Sequence, residues 1–63
     1  MRIKARSYEG IVLELDGEVR VMRDYTREIA RVIKYRVVIL FDDGAKVELT
    51  DVNPKEIEVV NEP

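Results

Sequence analysis

Residues 1–7 alternate between apolar and basic positions, with Met1, Ile3 and Ala5 against Arg2, Lys4 and Arg6. That period of two predicts a half-buried strand with a basic outer face. Tyr8-Glu9-Gly10 interrupts it, and Gly10 permits a bulge or bend. Ile11, Leu13 and Leu15 resume the alternation, and Asp16-Gly17 is a strong hairpin signal before Val19 and Val21. A three-residue loop over 16–18 would set Leu15 beside Val19, Leu13 beside Val21 and Glu14 opposite Arg20, keeping the apolar residues on one face. A second hairpin is clearer still. Tyr35, Val37, Ile39 and Phe41 lead into Asp42-Asp43-Gly44, and Val47 and Leu49 return. Those three turn residues fit a type I turn followed by a positive-φ position, which pairs Ile39 with Val47 and Val37 with Leu49. Val38 and Leu40 lie on the opposite face. Asn53-Pro54 then stops the ladder, Ile57 and Val59 form a short last strand, and 61–63 reads as a frayed end.

Residues 24–34 fit two patterns. Tyr25, Ile29, Val32 and Ile33 form a helical stripe at i, i+4, i+7 and i+8, with Asp24 as a cap and Arg27, Arg31 and Lys34 on another face. As a strand, Ile29, Ile33 and Tyr35 alternate with Lys34 and Arg36, although Ala30 and Val32 break the alternation. No glycine or proline separates the stretch from the strand that follows. The helix is the favoured expectation.

Composition narrows the function. At 63 residues the chain is expected to be one domain, 1–63, with a radius of gyration of roughly 11 Å and little room for an enclosed cleft. There is no cysteine, hence no thiolate nucleophile, disulfide or zinc ribbon, and no histidine to titrate near neutrality. Ser7, Thr26 and Thr50 have no base to activate them, and Gly10, Gly17 and Gly44 are too isolated for a phosphate loop. The expectation is a non-enzyme that needs no cofactor. Asp42, Asp43, Glu48 and Asp51 match only the end of a calcium-loop pattern, so no metal site is expected. Ten valines and six isoleucines favour strands. Many charges, no glutamine, one serine and two asparagines are the habit of thermophile proteins. The opening residues alternate, unlike a signal peptide, and no run of 18 apolar residues occurs, so a cytoplasmic protein away from membranes is expected.

The net charge of −2 hides a division. Residues 1–36 carry nine Lys/Arg and six Asp/Glu, and 37–63 carry two and seven, which gives +3 and −5. The densest basic stretch holds Arg20, Arg23, Arg27, Arg31, Lys34 and Arg36 against Asp24 and Glu28. A face of this kind contacts phosphates or an acidic protein surface, or pairs with the chain's own acids. Tyr25 and Tyr35 interleave with it as stacking groups. Tyr8, Tyr25, Tyr35 and Phe41 would also suit a cage for a cation, but Tyr35 and Phe41 share the expected buried face.

The run Tyr35-Arg36-Val37-Val38-Ile39-Leu40-Phe41-Asp42-Asp43-Gly44, followed by Val47-Glu48-Leu49 and Ile57-Glu58-Val59-Val60, resembles the second half of Tudor-like (SH3-like) small β-barrels. The resemblance covers about 26 of the 63 residues. It implies a mainly β fold of about five strands closed around one core, in a class that binds peptides or nucleic acid and seldom catalyses. The first half lacks the usual aromatic. With a helix at 25–34, the order hairpin–helix–hairpin looks instead like an α+β, β-grasp-type sheet. A weaker resemblance links Val19, Met22 and Tyr25 to peptides that dock on sliding clamps, with Val19 where those peptides carry glutamine.

Together these readings describe a small regulatory module, a monomer or weak dimer, that binds another protein. The partner class is DNA replication or repair machinery such as a sliding clamp, and nucleic acid is the alternative. The expected contact residues are Arg20, Met22, Arg23, Tyr25, Arg27, Arg31 and Lys34.

Overall fold

The β-branched residues that dominate the chain dominate its backbone as well. The computed structural model describes residues 1–60 and contains five strands: β1 (Arg2–Ala5), β2 (Tyr8–Asp24), β3 (Arg27–Leu40), β4 (Lys46–Val52) and β5 (Ile57–Val59). A single 3-10 turn, Pro54–Glu56, is the one helical element among the described residues. All pairings are antiparallel, in one sheet ordered β4-β3-β2-β1-β5. The expectation for 61–63 lies outside the described residues. The protein is thus mainly β.

Two strands are far longer than predicted. Residues 25–34 form no helix, because β3 begins at Arg27 and runs to Leu40 without a break. With no glycine or proline to stop it, a stretch rich in Ile and Val extends the neighbouring strand. The hairpin at 16–18 is also absent. β2 passes straight through Asp16-Gly17 and turns only at Tyr25-Thr26, so Leu15 faces Val37, Val19 faces Val32 and Arg20 faces Arg31. Gly17 serves packing instead. A Cβ there would lie 3.2 Å from the Tyr35 ring and 3.1 Å from a Val32 methyl, so the aromatic ring lies across the bare backbone. Without the central helix, the β-grasp arrangement does not arise.

The second hairpin has the predicted register, Val37 with Leu49 and Ile39 with Val47. The Phe41 N–H donates to the Ala45 carbonyl (2.8 Å), the Gly44 N–H donates to the Phe41 carbonyl (3.0 Å), and Gly44 takes φ 90°. At the other end, the Asn53 side chain accepts from the Lys55 N–H (2.9 Å) and caps the 3-10 turn. The first turn is tighter than the pattern implied. Arg6-Ser7 alone joins β1 to β2, and Arg6 takes φ 56°.

Ile3 and Ala5 of β1, Val37 and Ile39 of β3, and Leu49 and Val52 of β4 form one buried cluster. Because β2 lies between β1 and β3, the sheet must curl for these residues to meet. Two features of β2 permit the curl. Leu13 is an extra residue between the Val12–Ile39 and Glu14–Val38 pairs, a bulge that also moves Ile11 and Leu15 onto different faces. At Gly10, an added Cβ would collide with the Leu40 carbonyl and come within 2.6 Å of an Ile39 methyl. Tyr35, Phe41, Val12, Val47 and Ile57 pack around the cluster, while Val38 and Leu40 are half-buried on the far face.

The curled sheet is not a closed barrel. Among the described residues β4 and β5 are its edges, with no ladder between them. Arg6 bridges that gap: its Nε donates to Glu56 Oε2 (2.7 Å), its Nη2 to the Asp51 carbonyl (3.1 Å) and its backbone N–H to the Glu56 carbonyl (3.2 Å). Beyond the core, β2 and β3 continue as a two-stranded arm. The molecule is therefore elongated, 50 × 25 × 17 Å with a radius of gyration of 14.1 Å instead of the expected compact value.

Two substitutions test this account by thermal or urea unfolding. Gly10→Ala should destabilise by about 1–3 kcal/mol through overpacking. Arg6→Ala should cost about 1–2 kcal/mol, since charge-assisted hydrogen bonds are lost at a half-exposed site.

Candidate interaction surface

The distal arm comprises residues 19–24 of β2 and 27–32 of β3, joined by Tyr25-Thr26. Its ladder is symmetric about that turn, pairing Val19 with Val32, Arg20 with Arg31, Val21 with Ala30, Met22 with Ile29, Arg23 with Glu28 and Asp24 with Arg27. Cross-strand partners share a face, so the arm has two distinct sides. The side continuous with the core carries Leu15, Val19, Val21, Ala30 and Val32, and Val19 and Val21 remain 55% and 64% exposed. The outer side carries Arg20, Met22, Ile29 and Arg31, then Glu18 with Lys34 and Asp16 with Arg36 towards the root.

The ladder therefore gathers most of the sequence-predicted contact residues. Arg20, Met22, Arg27, Arg31 and Lys34 lie on the outer side, Arg23 on the inner side near the tip, and Tyr25 on the turn. A strand, not a helix, brings them together. The apolar inner strip is hidden in the sequence, because the Asp16-Gly17 signal pairs Val19 and Val21 with Leu15 and Leu13 in a hairpin that does not form. Its signal was nevertheless present, in residues 19–24 mirrored by 27–32 about Tyr25-Thr26.

The charges divide into used and free. Lys34 Nζ lies 3.2 Å from Glu18 and 3.1 Å from Asp51, and these carboxylates raise its pKa above the ordinary lysine value, Asp51 most. Arg36 reaches Glu48 (3.2 Å), Asp16 (3.1 Å) and Glu14 (3.5 Å), with Glu48 the main cause of its raised pKa. A folded-state pKa raised in this way contributes stability that is complete at neutral pH and lost only in strongly alkaline solution. Arg23 pairs with Glu28 at 2.9 Å. Among the described residues, Arg20, Arg27 and Arg31 form no salt bridge, and Arg20 and Arg31 stand directly opposite one another. Like charges so placed repel. The distal arm thus carries four arginines against Asp24 and Glu28, a net +2, and the rest of the chain carries −4.

The acidic residues at 42–51 are occupied separately. Asp42 reaches Arg2 (3.4 Å), Asp43 accepts from the Ala45 N–H (3.0 Å), and Glu48 and Asp51 hold Arg36 and Lys34. Among the described residues no group of three acids is placed to hold a metal ion, and no polar or charged side chain is buried. The four aromatics do not form a cage. Tyr8 and Phe41 are neighbours with ring centroids 6.0 Å apart, Tyr35 packs on the core, and Tyr25 stands on the arm tip. Tyr25 is 96% exposed, at a backbone φ of 55° that glycine favours. No helix among the described residues is long and apolar enough to cross a membrane.

Arg31→Glu turns the Arg20–Arg31 repulsion into an opposite-charge pair. It should strengthen the arm by about 0.2–1 kcal/mol, read as slower amide exchange at Val19, Val21 and Val32. The chain matches no family model, and neither a curated protein nor a solved structure is detectably similar to it.

Proposed function

We propose that this protein is a non-enzymatic binding module whose arm docks on another protein, led by Tyr25. The observation that carries this reading is the Tyr25 ring, fully presented to solvent from a turn position where glycine would be more comfortable. Backbone strain retained at an exposed aromatic indicates a side chain kept for contact. Met22, 46% exposed, and the unpaired Arg20, Arg27 and Arg31 lie along the outer side of the same arm, adding one apolar and several cationic groups. That combination fits an acidic partner with an apolar pocket, as expected of replication or repair machinery such as a sliding clamp. In this reading the chain is a Tudor-like module whose five strands curl without closing into a barrel, with one hairpin drawn out. In this reading it works in the cytoplasm.

A second reading, direct nucleic-acid binding, has one observation in its favour. Arg20 and Arg31 face each other with no acid between them, and a two-stranded ribbon fits the major groove. Phosphate contacts weaken steeply with salt, whereas docking through Met22 and Tyr25 does not.

Capture from cell lysate, with and without nuclease, separates the two. The wild-type chain should retain its partner after nuclease treatment and in high salt. Tyr25→Gly should lose binding by about 30-fold, the size of a contact hot spot, while the fold becomes no less stable. A complex that vanishes with nuclease, or that ignores Tyr25→Gly, overturns the protein-docking reading.

A further inference from the structure

The arm leaves strand edges open as well as faces. β4 pairs with β3 only as far as Tyr35, so from Arg27 to Val32 β3 is laddered to β2 alone. Along that stretch every second residue turns its N–H and C=O away from β2, and such a row is a template for another strand. The unpaired residue Ile33 marks its inner end, and the Tyr25-Thr26 turn marks its outer end.

The side chains that an added strand would meet decide what the edge accepts. On the outer side they are Arg27, Ile29 and Arg31, and on the inner side Glu28, Ala30 and Val32. Glu28 already holds Arg23 at 2.9 Å. Arg27 and Arg31 have no such partner among the described residues, and Arg31 faces Arg20 as well. A strand on this edge therefore gains most from a carboxylate opposite each free arginine and from aliphatic side chains opposite Ile29, Ala30 and Val32. The same charges reject a second copy, because two β3 edges paired antiparallel about Ile29 set Arg27 against Arg31 twice. The β2 edge has no comparable preference, since its outer row mixes Arg20 with Glu18 and Asp24. Nucleic acid would neutralise the arginines but offers no alternating N–H and C=O groups to the open backbone.

We propose that residues 27–32 of β3 take up an extended segment of a partner protein as an added antiparallel strand, with two acids four residues apart lying beside Arg31 and Arg27. The site is about 20 Å long at strand rise, enough for six residues. Main-chain pairing of this kind supplies the affinity, and the alternate side chains supply the specificity. It is a contact separate from the Tyr25 tip, and each stands without the other.

Titrating the full chain with the end-capped peptide Val-Glu-Val-Ile-Thr-Glu, followed by amide shifts, tests this directly. The shifts should saturate over 27–32, and amide exchange there should slow. Arg31→Glu, which relieves the repulsion with Arg20 and keeps the arm folded, should weaken binding about tenfold. Replacing both peptide acids by lysine should abolish it. Two N-methylated peptides, one blocked at the first, third and fifth nitrogens and one at the second, fourth and sixth, locate the backbone contact. One of the two should lose binding and the other keep it, because only alternate N–H groups face the edge. Tyr25→Gly should bind the peptide as well as wild type does. No saturable binding by the wild type, unchanged binding by Arg31→Glu, the same result from both methylated peptides, or loss of binding in Tyr25→Gly would each overturn the proposal. So would equal binding at 27–32 by a trinucleotide of the same charge.

Discussion

At Gly10 the backbone of β2 passes so close to Leu40 and Ile39 that no side chain fits between them. Much else in the molecule depends on that approach. A single sheet has no second layer to cover its apolar face, so this chain can form a core only by folding the sheet over itself. The curl brings Ile3 and Ala5 against Val37, Ile39, Leu49 and Val52. Burying each of the larger side chains contributes about 1.5–3 kcal/mol, set against the ordering of some sixty residues. The margin is small. It explains why a guanidinium bridging the open edges and a capped 3-10 turn matter in so small a protein.

Curling one end leaves the other end flat. β2 and β3 extend past the point where β1 and β4 can pair with them, so the far half of their ladder has neighbours on neither side. The division of charge follows the same boundary. The +3 and −5 halves of the sequence meet within the folded body, where Arg2, Arg6, Lys34 and Arg36 of the first reach Asp42, Glu56, Asp51 and Glu48 of the second. The arginines left unpaired are those the body cannot reach. Exposed apolar residues and unpaired arginines therefore occur together on the arm because both lie beyond the same limit.

The parts of this fold that were legible in the sequence are those governed by local rules. Asp42-Asp43-Gly44 specifies its own turn, the alternation around it fixes one register, and Asn53-Pro54 ends the ladder it follows. The arm was not legible for the converse reason. Its turn, Tyr25-Thr26, contains neither glycine nor asparagine, while Asp16-Gly17, a better turn by composition, lies in mid-strand. A long ladder outweighed a short-range preference there, and the helical spacing of Tyr25, Ile29, Val32 and Ile33 coincided with a strand broken by the extra residue Ile33. The charge pattern of Arg20, Arg23, Arg27, Arg31 and Lys34 is legible in the sequence, whereas the faces they occupy depend on the long ladder. The apolar face was hidden by the same misplaced turn.

Beyond its last bulge, the ladder from Val19–Val32 to the tip also makes the arm a ruler with fixed graduations. Removing two facing residues from each strand midway along the arm shortens its reach by roughly 7 Å and keeps every side chain beyond the cut on its original side. Removing one from each exchanges the inner and outer faces near the tip. Across descendants of this sequence, arm length is thus free to drift in paired steps, because the curled body lies far from the site of change. Odd steps would exchange an oily surface for a charged one in a single event.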